Sequence, residues 1–265
     1  MSADETPQIG GLTLRGMVPN VVTAAALCAG LTGIRYGITG EYERAVLAVV
    51  LAGMLDGIDG RIARLLKAQS RFGAELDSLA DNVSFGVAPA LILFLWSLEQ
   101  LPRVGWFAAL AYAVACALRL ARFNARIDLA DEPRKVAGFF TGVPAPAGAG
   151  LVFLPLYLWL CAKDYPALEL FRDPRIVGVW MVAMAFLMIS GVATLSWSKL
   201  RPRKSFRLEV ILLFGLVAAG LIAEPWWTLI GISVAYLVSL PVGMIAYARV
   251  KRRLRQQDGM AAPSA

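Results

Sequence analysis

The sequence predicts an all-α, polytopic membrane protein of about eight transmembrane helices, and three observations carry that prediction. Of its 265 residues, 58% are hydrophobic and only 17% are charged. A soluble domain of this size averages about 45–50% apolar and about 25% charged residues. Mean hydropathy is +0.63. The apolar residues fall in blocks of roughly 17–25, each long enough to cross about 30 Å of hydrocarbon. A soluble enzyme, a disordered chain and a disulfide scaffold are thereby excluded.

Apolar runs between charged or Pro/Gly breaks place the spans near 18–39, 43–65, 74–98, 104–123, 144–162, 175–196, 207–223 and 226–248. The seventh is short, so it is tilted or re-entrant with the eighth. Basic residues collect on the cytoplasmic side of a membrane protein. Twenty of the 26 Lys and Arg fall on one side, in the groups Arg15, Arg61–Arg71, Arg119–Lys135, Lys199–Arg207 and Arg249–Arg255. The other six are Arg35, Arg44, Arg103, Lys163, Arg172 and Arg175. Both termini are therefore expected in the cytoplasm, as an even number of spans requires.

Outside the spans, residues 1–17 read as a cytoplasmic segment able to form a short interfacial helix, with Ile9, Leu12, Leu14 and Met17 among polar residues. They contain Asp4, Glu5 and Pro7 and no apolar run, so no signal peptide is expected. The loop 125–140 is polar, and residues 250–265 read as a basic and then disordered tail. Residues 18–249 form one transmembrane domain without the internal repeat of many transporters.

The formal charge of +7 has its source in this topology and in anionic headgroups rather than in nucleic acid. There is no histidine, which excludes serine–histidine hydrolases and histidine-liganded zinc sites. The three cysteines, Cys28, Cys116 and Cys161, lack metal-ligand spacing and read as packing residues.

The chemistry concentrates in 56–81, DGIDGRIARLLKAQSRFGAELDSLAD. Asp56 and Asp59 lie near the cytoplasmic end of the second span, Asp77 and Asp81 near the start of the third. One charge at membrane depth costs on the order of 3 kcal/mol, so four need a cationic offset. Asp56 and Asp59 are i,i+3 and Asp77 and Asp81 are i,i+4, so each pair shares a helix face. A turn near 66–72 folds the two spans into an antiparallel hairpin and brings the pairs to one depth. Oxygen-only ligands suit Mg²⁺ or Mn²⁺, and four carboxylates suffice to bridge two ions, a recurring clamp for displacement at phosphorus. Gly60 and Gly73 allow a ligand to approach the backbone, or alternatively allow close helix packing. Ala63 leaves space beside the carboxylates, and Arg64 offers a fork of donors to phosphate.

The run Asp56-x2-Asp59-Gly60-x2-Ala63-Arg64-x8-Gly73-x3-Asp77-x3-Asp81 resembles the signature of the CDP-alcohol phosphotransferase family at every fixed position, eight residues over 26. The resemblance implies a six-helix core, usually dimeric, and a cytoplasm-facing site with two divalent ions. It implies transfer of a phosphatidyl-type group from a CDP-linked lipid to an alcohol, with release of CMP. By position, Asp56, Asp59, Asp77 and Asp81 are then metal ligands, and Asp81 is also the general base. Asp56, Gly60, Ala63, Arg64 and Gly73 then contact CDP.

The flanks resemble the membrane-type phosphatidylserine synthases within that family. The stretches that carry this are Pro19-Asn20, SFGVAPA at 84–90, LRLARFN at 118–124 and FFTGVPAP at 139–146. The implied substrates are CDP-diacylglycerol and L-serine, and the implied location is the inner membrane. Serine carries a carboxylate, and Arg119, Arg122 and Arg126 cluster near the cytoplasmic end of the fourth span. They bind either that carboxylate or lipid headgroups. Asn82 and Ser84 either hydrogen-bond serine or support the metal ligands. A glycerol-phosphate or inositol-phosphate acceptor would need a denser basic pocket. Choline would need an aromatic cage, for which only Phe72, Phe85 and Phe123 lie near in sequence. A cation transporter fits poorly with aspartates at the membrane edge.

Overall fold

The structure, a computed structural model, describes residues 8–9, 12–127, 139–161, 165–190, 193–195 and 207–261. The polar loop's Asp131, Glu132 and Pro133 and the basic residues Arg134, Lys135, Lys163, Lys199, Arg201, Arg203 and Lys204 lie outside these.

Each predicted span coincides with a helix or a helix pair. The first is α1 (Leu14–Ile38) and the second α2 (Tyr42–Leu65). The third is continuous over Arg71–Trp96, made of α3 (Arg71–Asp81), a π-helical turn (Asn82–Val87) and α4 (Ala88–Trp96). α5 (Pro102–Ile127) is the fourth. The fifth is split into α6 (Ala145–Val152) and α7 (Leu154–Leu160). α8 (Pro174–Ile189), α9 (Arg207–Ala223) and α10 (Pro225–Ala261) complete the chain. By length and composition, Met17–Ile38, Arg71–Trp96, Pro102–Ala125 and Pro225–Ile245 can each cross a membrane, and α8 is a shorter apolar helix. The protein is an all-α, polytopic membrane protein.

Three details differ from the sequence reading. Within the N-terminal segment, β1 (Gln8–Ile9) pairs antiparallel with β2 (Leu12–Thr13), and helix begins at Leu14. The sixth span ends at Ile189, and β4 (Ala193–Leu195) then pairs with β3 (Phe139–Thr141), Phe140 opposite Thr194. Gly142 follows β3 with φ +77°, and a β-carbon there would stand 2.7 Å from the Met188 carbonyl oxygen, so the corner requires glycine. At the C-terminus α10 runs to Ala261, past Arg255. Its Lys, Arg and Gln residues are good helix formers.

Prolines interrupt the helices at places where a neighbour repairs the hydrogen bonding. Pro89 has no N–H to offer the Phe85 carbonyl four residues back. The Tyr112 hydroxyl of α5 donates to that oxygen at 3.1 Å. Pro155 likewise cannot serve Leu151, whose carbonyl accepts from Trp180 Nε1 of α8 at 3.0 Å. These bonds tie the π-helical turn to α5 and α6 to α8 around a core that includes Phe85, Tyr112, Leu151, Phe153 and Met181, all buried. Small residues let α1 approach its neighbours closely. A β-carbon at Gly30 would stand 2.9 Å from Ser84 Cα, and one at Gly33 3.0 Å from the Ala45 carbonyl oxygen.

The helices alternate, so one end of the bundle gathers the start of α1, the α2–α3 turn and the end of α5. The opposite end gathers the α1–α2 turn, the α4–α5 turn and the segment before α8. There Tyr42 Oη donates to the Leu95 carbonyl at 3.2 Å, and Ser97 Oγ to the Arg172 carbonyl at 2.7 Å.

Candidate active site

The α2–α3 turn sets the two aspartate pairs side by side. α2 ends in a Schellman motif: the Ala68 N–H donates to the Ala63 carbonyl at 2.9 Å and the Lys67 N–H to the Arg64 carbonyl at 3.3 Å. Lys67 takes the left-handed position, φ 50°. Ser70 then caps α3, its Oγ accepting from the Gly73 N–H at 3.0 Å. The chain reverses within five residues, as the sequence spacing predicts.

Carboxylate oxygens of Asp56, Asp59 and Asp77 lie within 4.8 Å of one another. Asp81 lies at the edge of this group, close enough to Asp56, Asp77 and Asp59 to interact with each electrostatically. Asp59 is only 4% exposed, and the other three are half-buried. Among the described residues no Lys or Arg side chain forms an ion pair with any of the four. Four acidic groups in contact without a cationic side chain among them repel when ionised. A hard, oxygen-seeking divalent ion is what this donor set fits.

The positions between the pairs differ in character. A β-carbon at Gly60 would meet nothing within 4 Å, so packing does not explain this glycine. Ala63 is half-buried beside it. The exposed Arg64 donates from Nε to the Gly60 carbonyl at 2.9 Å, which holds its guanidinium against this face of α2. A β-carbon at Gly73 would stand 3.0 Å from Asn20 Oδ1 and 3.2 Å from Ser70 Oγ. Gly73 therefore serves the contact between α1 and α3 as well.

The arginine cluster separates. Arg119 lies within electrostatic reach of Asp81, and its Nε is buried without a hydrogen-bond partner. Asn82 Oδ1, next to Asp81 in the chain, is also buried without a partner. Arg122 is instead engaged elsewhere, donating from Nη1 to the Ile189 carbonyl at the end of α8 at 2.9 Å. The side chain of Arg126 lies outside the described residues. Ser84, 1% exposed, faces α1 rather than the carboxylates, its Oγ 3.4 Å from the Ala26 carbonyl oxygen. The three phenylalanines form no cage: Phe85 is buried with its ring against Gly53, while Phe72 and Phe123 are exposed.

Two contacts at the site are not legible in the aspartate signature. Thr23 of α1 donates from Oγ1 to Asp59 Oδ2 at 2.6 Å. Asn124 of α5 donates from Nδ2 to Ser78 Oγ at 2.9 Å, beside Asp77. A threonine in the apolar first span, where Thr32 also stands, is a weak signal for the first. Asn124 stands inside the LRLARFN stretch, which marks the second.

Comparison with known proteins agrees with this geometry. The family model described as CDP-alcohol phosphatidyltransferase matches residues 16–197, and a second, CDP-alcohol phosphatidyltransferase 2, matches residues 206–241. Similar proteins named CDP-diacylglycerol–serine O-phosphatidyltransferase occur in several organisms. One from Mycobacterium tuberculosis is 35% identical over 232 residues, covering 85% of this chain and 77% of that protein. One from Helicobacter pylori is 34% identical, covering 76% of this chain and 81% of the other. One from Bacillus subtilis is 32% identical, covering 66% and 88%. With the signature intact, its aspartates gathered at one end of the bundle and the family model spanning most of the sequence, the chain belongs to the CDP-alcohol phosphatidyltransferase family.

Proposed function

We propose that the protein transfers a phosphatidyl group from CDP-diacylglycerol to the hydroxyl of L-serine, giving phosphatidylserine and CMP. The observation that carries the reading is the convergence of Asp56, Asp59, Asp77 and Asp81 beside the open face at Gly60. The choice of serine rests on relatives that bear that acceptor in their names.

In this reading the four aspartates hold two divalent ions, Mg²⁺ or Mn²⁺. Bound there, the ions would neutralise the phosphoryl oxygens and the departing phosphate. Gly60, Ala63, Arg64 and Gly73, with Asp56, take the CDP moiety. The open space at Gly60 admits it against the α2 backbone, and Arg64 stands one turn further on to meet phosphate. Arg119 and Asn82 receive serine, because each presents a buried polar atom without a partner, Arg119 within electrostatic reach of Asp81 and Asn82 next to it in the chain. Such atoms cost about 1–3 kcal/mol each unless a ligand satisfies them. Asp81 takes the serine hydroxyl proton. The serine oxygen bonds to the lipid-side phosphorus as the bond from that phosphorus to the CMP oxygen breaks, in one displacement. The protein works in the inner membrane as a homodimer, with both termini and the site on the cytoplasmic side, where most basic residues collect.

Purified protein with CDP-diacylglycerol and Mg²⁺ or Mn²⁺ tests this, with serine competing against glycerol 3-phosphate, inositol 3-phosphate and choline. Serine-dependent release of CMP with formation of phosphatidylserine is expected. Preference for another acceptor would overturn the serine assignment and leave the family chemistry standing.

A further inference from the structure

Threonines on helices commonly turn their hydroxyl back to the carbonyl four residues earlier. Thr32 does so to Cys28 at 2.6 Å and Thr228 to Glu224 at 2.8 Å. Thr23 has, besides this local partner, a second and closer acceptor. Its local partner, the Pro19 carbonyl, lies 3.1 Å away, while Asp59 Oδ2 on the neighbouring helix lies 2.6 Å away. That separation is in the range of a charge-assisted O–H···O⁻ bond. A hydroxyl has one proton, and the geometry gives it to the carboxylate. Both partners are buried, Thr23 at 5% and Asp59 at 4% exposure, so water does not compete for the bond.

We propose that Thr23 is a positioning residue for Asp59: its hydroxyl fixes Oδ2, sets the plane of the carboxylate and leaves Oδ1 for a divalent ion. The proposal rests on the two-ion reading above. It also gives α1 a part in the site, through a residue outside the Asp56–Asp81 signature. A carboxylate without this partner would rotate, and an oxygen facing the ion only part of the time binds it more weakly. Loss of a hydrogen bond to a metal ligand typically costs about 10- to 100-fold in metal affinity or activity.

The test is Mn²⁺ binding to the purified protein without substrates, followed by electron paramagnetic resonance, in the unsubstituted protein, Thr23→Val and Thr23→Ser. Valine keeps the shape and removes the hydroxyl, and serine keeps the hydroxyl. Thr23→Val should weaken Mn²⁺ binding about 10- to 100-fold, while Thr23→Ser stays near the unsubstituted protein. In turnover assays, half-saturating Mn²⁺ should rise for Thr23→Val with KM for serine unchanged. If Thr23→Val fails to fold, Thr23→Ala carries the same expectation. Equal Mn²⁺ affinity in the hydroxyl-free variant, or equal loss in Thr23→Ser, would overturn the proposal while leaving the metal reading intact. Absence of Mn²⁺ binding in the unsubstituted protein would overturn both.

Discussion

The hydroxyl of Tyr112 on α5 donates to the carbonyl of Phe85 in the π-helical turn, 3.1 Å away and fully buried. It stands where the α-helical donor four residues on is missing, because Pro89 lacks an N–H. The carbonyl belongs to the π-helical turn that directly follows Asp81, so the bond also steadies the end of the aspartate helix. Tyr112→Phe leaves this oxygen buried and unpaired, and stability should fall by about 1–3 kcal/mol. Thermal unfolding in detergent measures it, and kcat should fall as well. Trp180→Phe removes the corresponding bond to Leu151, where no aspartate is touched, and should lower stability with kcat preserved.

The glycines divide into two kinds that look alike in sequence. A β-carbon at Gly60 meets no atom within 4 Å, so in Gly60→Val the melting temperature should hold while KM for the CDP-lipid rises at least tenfold. Gly30→Val drives a side chain into Ser84, whose Oγ would stand 2.5 Å from the new β-carbon. It should destabilise the protein by about 1–3 kcal/mol through overpacking. Unfolding of Gly60→Val, or tolerance of Gly30→Val, contradicts this division.

What could be read from the sequence follows from how local each signal is. The spans were legible because about 20 apolar residues are needed to cross hydrocarbon wherever they pack. The aspartate pairs were legible because i,i+3 and i,i+4 spacing fixes a helix face before any tertiary contact exists. Ser84 and Arg122 were not, since nothing in their neighbourhoods shows that one faces Ala26 and the other Ile189. The bond from Thr23 joins residues 36 positions apart and needs the α1–α2 crossing to exist. The β3–β4 ladder joins segments more than 50 residues apart, each too short to show a period.

Arg119 and Arg122 occupy successive turns of α5 and should respond differently to substitution. Arg119 has a buried nitrogen without a partner beside Asp81. Lysine there keeps the charge and loses the planar fork, so Arg119→Lys should raise KM for serine about tenfold and KM for the lipid by much less. Arg122 is spent on the α8 terminus. Arg122→Ala should cost about 1 kcal/mol of stability and leave KM for serine within about twofold. Steady-state kinetics in mixed micelles separates the two, and reversed roles would return serine binding to Arg122.

Lys67 holds a left-handed backbone, φ 50°, in the turn between the aspartate pairs. An L-residue with a β-carbon pays about 1–2 kcal/mol for that conformation, while glycine adds about 0.5–1 kcal/mol of unfolded-state entropy. Lys67→Gly should therefore stabilise the protein by roughly 0.5–1 kcal/mol, seen as a higher melting temperature with serine turnover retained. Lys67→Val should lower it, because a β-branched side chain tolerates this region least.

Asp81 is the aspartate at the edge of the cluster, beside Asp56, and the one within electrostatic reach of Arg119. An aspartate at the edge can give one oxygen to an ion and keep the other for a proton. With no histidine in the chain, a covalent phosphatidyl-enzyme would need an aspartate or a hydroxyl as nucleophile. Aspartates committed to divalent ions have few lone pairs to spare, so a single displacement is the economical course. Asp81→Asn should then keep CDP-lipid binding within about tenfold and reduce turnover by about 10²- to 10⁴-fold, the usual worth of a positioned base. Asp56→Asn, which lies among all the carboxylates and beside the CDP positions, should lose binding as well. A single displacement also requires inversion at a chiral, isotopically labelled lipid-side phosphorus. Retention there, or exchange of labelled CMP into the CDP-lipid in the absence of serine, would establish a covalent intermediate and remove Asp81 from the role of base in a one-step transfer.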